Sequence, residues 1–371
     1  MLEDKIINIY NQIEIELLIA IAKRFDVYDK ATGTLEWQLK KLDELGGLTN
    51  EAIDIIAKHS KRTKKEILNI LKEAGYSNLD FSLLELAYKE DFIAINPEVL
   101  RNNEVINDII MLSYKEMNET FRLINTKALE SVKHSYMNVL NTAYLEVSSG
   151  VYDYHSSIRK ALKNMANNGI TGATYKRGMT TVNYSLEGTV RRDVVTATHQ
   201  LANKVSIKSC EELGAEYVEV SSHIGARVSN KNPIANHYGW QGKVYKIHGR
   251  DDKYDNLKEK TGYPDDILGL GGVNCRHRMF PFFPGISKPM RKTYDKEENE
   301  RIYNLSQTQR YLERGIRAEK KRAFVYKNAN DLENYEKSIT ELTRRINEIN
   351  TFCKENNLDR DYSRELVTEQ L

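Results

Sequence analysis

Five of the six prolines in this 371-residue chain lie within residues 233–289, and none occurs between Pro97 and Pro233 or after Pro289. A proline inside a helix removes a backbone donor and clashes with the preceding turn, so long proline-free stretches are permissive for long helices. Residues 98–213 therefore read as helical, 214–289 as loops, turns and short strands, and 290–371 as helical again. The length leaves room for two or three domains. The expected division is a helical region 1–213, a small domain 214–289 and a C-terminal region 290–371. The predicted fold class is mostly α with a small α+β central domain, long N-terminal helices and a C-terminal antiparallel helical hairpin.

Apolar spacing refines this outline. Leu2, Ile6, Ile9, Ile13, Leu17 and Ala20 recur at three- and four-residue steps and predict a first helix over 2–27 with one apolar face. A short helix over 35–45 is expected to stop at Gly46-Gly47, with Thr49-Asn50 and then Thr63 capping two further helices, the second ending at Gly75. Asn96-Pro97 opens the next helical stretch, which runs to about Ser149. Further helices are expected at 154–167 and 186–213. Strands are expected within 217–226 and 240–248. At the C-terminus, Ile302, Leu305, Gln309, Leu312 and Ile316 step 3, 4, 3, 4. After Asn328–Asp331, the series Leu332, Tyr335, Ile339, Leu342, Ile346, Ile349 and Cys353 repeats the pattern. Two such seams joined by a short polar link predict a helical hairpin with Cys353 inside it. Residues 360–371 are polar and are expected to fray.

The formal net charge of +2 is a cancellation along the chain. Residues 1–150 carry a net −6, 151–210 a net +6, 211–286 zero, 287–327 a net +6 and 328–371 a net −4. Two basic helical segments thus flank a neutral block. Lys176, Arg177, Arg191 and Arg192 belong to the first. Arg310, Arg314, Arg317 and Lys321 form an i, i+4, i+7, i+11 stripe in the second, with Lys320 and Arg322 beside it. Such stripes suit DNA or an acidic protein surface. They equally suit pairing with the acidic helices of the same chain. The three cysteines are too few and too scattered for a disulfide framework, which fits a reducing compartment. No apolar run nears the roughly 20 residues of a membrane span, and MLEDKIINIY places acidic residues where a signal peptide has basic ones. The expectation is a chain without a membrane span.

The neutral block holds the chemistry. His223, His237, His248, Cys275 and His277 are zinc-type ligands. Cys275 and His277 are two apart and His223 and His237 fourteen apart, which matches no well-specified zinc spacing. Two readings stay open: a structural zinc site of His223, His237, Cys275 and His277, or a hydrogen-bonded polar core in which His223 and Arg227 brace the loops and Trp240 and Phe280 fill them. Gly225, Gly242, Gly271 and Gly272 suit tight turns. A metal-dependent nuclease using Asp265-Asp266 is a third reading. No protease, kinase or phosphate-loop spacing occurs.

Three strings carry a family resemblance: SSHIGARVSN with HYGWQGKVY (221–245), GLGGVNCRHRMFPFFPGIS (269–287) and SQTQRYLERGIRAEKKR (306–322). Together with GTVRRDVVTATHQLANK (188–204), they resemble the tailed-phage minor capsid protein 2 family, related to the Mu-type F head-morphogenesis proteins. The insert SNKNPIAN lengthens the segment between Arg227 and His237. The resemblance implies a structural protein and not an enzyme. It implies several copies in the virion head near the portal, after assembly in the bacterial cytoplasm. Portal, scaffold or major capsid protein would be its partners, with phage DNA a further one in packaging or ejection. It also implies that Arg227, Trp240, Gly242, Gly271, Gly272 and Arg276, with the His and Cys residues, hold the central domain together.

Overall fold

The structure, a computed structural model, describes residues 3–28, 35–289 and 293–367, with the side chains of Leu35 and Arg177 also outside the described residues. Ten helices and five strands appear among them. In chain order these are α1 (Asp4–Ala22), α2 (Leu35–Tyr76), α3 (Phe81–Lys89), α4 (Glu104–Ser148), α5 (Tyr154–Asn168), β1 (Thr171–Arg177), β2 (Thr180–Ser185), α6 (Leu186–Leu213), β3 (Tyr217–Val220), α7 (His237–Trp240), β4 (Val244–Lys246), α8 (Leu257–Thr261), β5 (Met279–Phe282), α9 (Lys296–Asn328) and α10 (Leu332–Glu355). Short 3-10 turns cover Pro97–Leu100 and Tyr362–Glu365. The fold is mostly α with two small antiparallel sheets, β1-β2 and β4-β3-β5.

The chain packs as two compact units, each drawn from distant segments: 1–64, 120–191 and 308–371 in the first, 65–119 and 192–307 in the second. This partition differs from 1–213, 214–289 and 290–371, which follows composition along the chain.

In the first unit α1 is buried well beyond a single face: Ile7, Ile15, Leu18 and Ile21 are as buried as Ile6, Ile9, Ile13 and Leu17, and only the stripe through Lys5, Asn8, Gln12, Glu16 and Ile19 reaches solvent. A helix apolar over most of its circumference belongs in a core, and this one takes Asn11 and Glu14 inside with it. α9 and α10 form the expected helix pair. Leu312 and Ile316 pack with Ile349 and Cys353, flanked by Leu342, Ile346, Phe352 and Leu358. Asp331, between the helices, accepts from Asn334 N and caps α10. The seam is shorter than its periodicity suggests. Leu332 is exposed, and Ile302 lies in the second unit, where its Cγ2 is the nearest side-chain neighbour of Gly225.

Four expectations are overturned. The helix expected to stop at Gly46-Gly47 continues through them to Tyr76. The hydroxyls of Thr49 and Thr63, read as caps, instead donate back to Leu45 O (2.8 Å) and His59 O (3.0 Å), a use of Thr open to a helix interior. Residues 171–185 form a β-hairpin inside the stretch read as helical. Its sequence holds four Thr and two Tyr, and Gly178 turns it at φ 61°. A lack of proline permits helix without requiring it. Finally, residues 360–367 do not fray. Arg360 Nε donates to Glu365 Oε1 at 2.6 Å, Lys320 Nζ to Glu365 O at 3.0 Å and Asn11 Nδ2 to Leu366 O at 3.0 Å, and Val367 is buried. Residues 368–371 lie outside the described ones.

The uninterrupted α2 gives one direct expectation. Gly46 is exposed in a helix interior, and a Cβ there meets nothing within 4 Å. Gly46→Ala is expected to raise stability by about 0.5–1 kcal/mol by removing unfolded-state freedom. The denaturation midpoint checks this, and a lower midpoint would mean that α2 is broken at this position.

Candidate functional site

The second unit is organised around the β4-β3-β5 sheet. Val218 pairs with Tyr245 on one side and Pro281 on the other, and Val220 pairs with Met279. β5 has one neighbour only, so Pro281 sits on an edge strand where a missing donor is tolerated. Cys210, Val218, Val220, Trp240, Tyr245, Leu270, Cys275 and Met279 form one buried cluster. The expected strands are present but shorter, and β5 is additional.

Against this cluster the structure gathers His237, Cys275 and His277, which are 4%, 2% and 1% exposed. Each offers one ligand atom, and these atoms lie within 4.8 Å of one another. Cys275 Sγ is 3.6 Å from His277 Nδ1. The other nitrogen, His277 Nε2, is 3.0 Å from Gln241 Oε1. That oxygen also accepts from the backbone N–H of His223 at 3.0 Å, which fixes which way the amide points. His277 Nε2 therefore carries the proton. His237 Nε2 is 2.8 Å from Leu268 O, so it too is the donor nitrogen. The Trp240 ring lies 4.5 Å from that of His237 and 4.8 Å from that of His277, and its Nε1 donates to Ile234 O at 2.8 Å.

His223 stands apart from this trio. Its ring stacks on His277 at 4.4 Å, and its Nδ1 is 3.2 Å from Ile224 O. His248 is exposed, 3.5 Å from Glu211. Asp266 accepts from Leu268 N and Asp265 pairs with Lys258. Among the described residues no carboxylate joins the His–Cys group. Burial pushes His237 down to about 4 and holds His277 well below its ordinary value, with the neighbouring histidines adding to the effect. Burial likewise lowers His223 and raises the Cys275 thiol. At neutral pH the group is thus neutral imidazoles beside a protonated thiol, unlike the low-pKa thiolate of a catalytic cysteine.

The glycines hold the loops that present these groups. A Cβ on Gly272 would lie 2.3 Å from Ile267 O, and one on Gly269 2.2 Å from Thr261 O. Gly242 and Gly271 adopt φ of 66° and 74°. Arg227 contributes its backbone carbonyl, which accepts from Tyr238 N at 3.0 Å. Arg276 is exposed. Two anchors had no sequence signal. Asn203 on α6 donates to His277 O (3.1 Å) and accepts from Met279 N (2.9 Å). Asn299 on α9 accepts from Gly225 N and Ala226 N and donates to Ala226 O.

The basic stripes are largely committed inside the chain. Arg317 and Arg191 converge on Glu187 at 3.1 and 3.0 Å. Burial alone would raise the Glu187 pKa, but Arg317, Arg191 and Lys321 outweigh it and hold the carboxyl below its ordinary value. Lys321 pairs with the fully buried Glu14 at 2.8 Å. Arg192 pairs with Asp193, and Arg322 bonds Asn167. Arg310 is half-buried, while Lys176 and Arg314 are exposed. The Arg177 side chain is outside the described residues.

Comparison with known proteins agrees with the three strings. A structural protein of Lactococcus phage LL-H is 25% identical over 304 residues, covering 79% of this chain and 78% of that one. A structural protein of Lactococcus phage mv4 is 31% identical over 100 residues, 27% of this chain and 81% of that one. No solved structure matches. No helix among the described residues is long and apolar enough to cross a membrane. The family model for phage minor capsid protein 2 matches residues 1–354, and with that match over nearly the whole length the chain belongs to the phage minor capsid protein 2 family.

Proposed function

We propose that this chain is a low-copy structural component of the phage head, seated near the portal and contacting portal, scaffold or major capsid protein during assembly, packaging or ejection. The family match over residues 1–354 carries this reading. The site supports it as well: its histidines are buried and neutral, its thiol is protonated when no metal is bound, and His237 and Asn203 bond to the backbone carbonyls of Leu268 and His277, as in a group that organises loops. DNA contact draws less support, because Arg191, Arg317 and Lys321 are engaged with carboxylates of the same chain.

Crosslinking mass spectrometry on purified virions tests the proposal. Peptides of this chain linked to portal protein are expected, at few copies relative to major capsid protein. Absence from virions, together with normal heads after gene deletion, would overturn it.

A further inference from the structure

We infer that His237, Cys275 and His277 form a zinc site, with His223 outside the ligand set and the fourth position taken by a non-protein ligand. This goes beyond the head-protein reading and stands whether or not that reading holds. Zinc bonds of about 2.3 Å to sulfur and 2.0–2.1 Å to nitrogen, at a tetrahedral angle, put the two ligand atoms about 3.5 Å apart. Cys275 Sγ and His277 Nδ1 are 3.6 Å apart.

The second observation concerns the outer hydrogen bonds. A metal-bound histidine donates its distal N–H to a carbonyl or carboxylate, which fixes its tautomer and aims its lone pair. Both histidines are held this way. His277 Nε2–H is directed at Gln241 Oε1 and His237 Nε2–H at Leu268 O. Each is left with Nδ1 as its unprotonated nitrogen. A thiol donating to His277 Nδ1 would also account for the 3.6 Å, but it would not require His237 to bring a ligand atom within 4.8 Å of both, as it does. His223 is not among the residues whose ligand atoms come together, and its ring lies stacked over His277. On binding, the Cys275 thiol gives up its proton to solvent and coordinates as thiolate. The soft sulfur with two imidazoles favours zinc over magnesium or calcium.

The test uses the full-length protein, purified without chelator from zinc-supplemented medium. Elemental analysis is expected to give about one zinc per chain. Cobalt(II) added to metal-stripped protein is expected to produce thiolate-to-metal charge-transfer absorption. Cys275→Ser should remove that band and His237→Ala should lose the metal, while His223→Ala keeps both. Gln241→Leu, which leaves all three ligands in place, should weaken metal affinity by about 10–100-fold. Should Cys275→Ser fail to fold, the wild-type chain still decides, because its melting temperature should fall on stripping and recover on adding zinc. A metal-free wild-type protein with no cobalt band would overturn the inference. So would loss of metal in His223→Ala with retention in His237→Ala.

Discussion

Glu14→Ala is expected to destabilise the protein by about 3–5 kcal/mol, the cost of breaking a buried ion pair from one side. Glu14 lies in the middle of the apolar α1 and is fully buried. One carboxylate oxygen accepts from the backbone N–H of Ile170 at 3.0 Å, and the other receives Lys321 Nζ at 2.8 Å. Removing the carboxylate leaves an N–H and an ammonium without their acceptor. Lys321→Met should cost a similar amount, because it strands the carboxylate instead. The double variant should cost clearly less than the two added together, since neither buried charge is then left alone. Gly169→Ala probes the same place. Gly169 has φ +63°, and an added Cβ would lie 2.4 Å from Glu14 Oε1, a side chain pinned by two partners and unable to yield cheaply. Denaturant melts of the four variants check this, and strictly additive single-variant costs would show that the pair is not coupled.

Acid should loosen the same unit. The folded-state pKa of Glu187 is depressed, so its contribution is present above the unfolded value of about 4.3 and is lost as pH falls through the folded value. Glu313 acts in the opposite direction. Burial raises its pKa above the pull of Arg364 and Arg317, so its protonation is easier in the fold.

These pairs mark where the sequence stopped being readable. The −6 and +6 segments were visible as charge, and the alternative that they pair within the chain was open. Nothing local specifies that Glu14 meets Lys321 across 307 positions. Local signals read well where the physics is local. α6 begins at Leu186 and ends at Leu213, the bounds expected for it. α5 ends at Asn168, and the positive φ of its C-cap Gly169 suits a helix C-terminus. The α9–α10 pair follows from its periodicity. Local signals misled where one residue type serves two ends. Gly46 and Thr49 look like a stop and a start, yet both fit a continuous helix. The His and Cys residues were identified by type, but the exclusion of His223 depends on the course of the loop between β3 and α7. Asn203 was invisible, because a polar residue on a helix carries no mark of facing inward.

Asn203→Leu should nonetheless be among the most damaging single changes in the second unit, at about 3–5 kcal/mol, because it leaves several buried polar groups unpaired at once. Asn203 is fully buried on α6. Its amide N–H donates to His277 O at 3.1 Å, and its oxygen accepts from Met279 N at 2.9 Å and from Asn78 Nδ2 at 3.2 Å. It therefore grips the chain on both sides of Arg278, where the segment carrying Cys275 and His277 enters β5. Leucine keeps the branched shape but is bulkier, so the loss reports the missing hydrogen bonds with some crowding, and not a cavity. Asn203→Asp separates the two functions of the amide. A carboxylate keeps the acceptor for Met279 N and Asn78 Nδ2 but faces His277 O with no donor, so it should also destabilise unless it is protonated. Protonation restores a donor, and this variant alone should recover part of its stability as pH is lowered from 7 towards 5. Amide hydrogen exchange at Met279 provides the local reading. Protection there should fall sharply in the leucine variant and be partly retained in the aspartate variant. Equal loss of protection in both would show that Asn203 fills space and does not hold the strand by its amide.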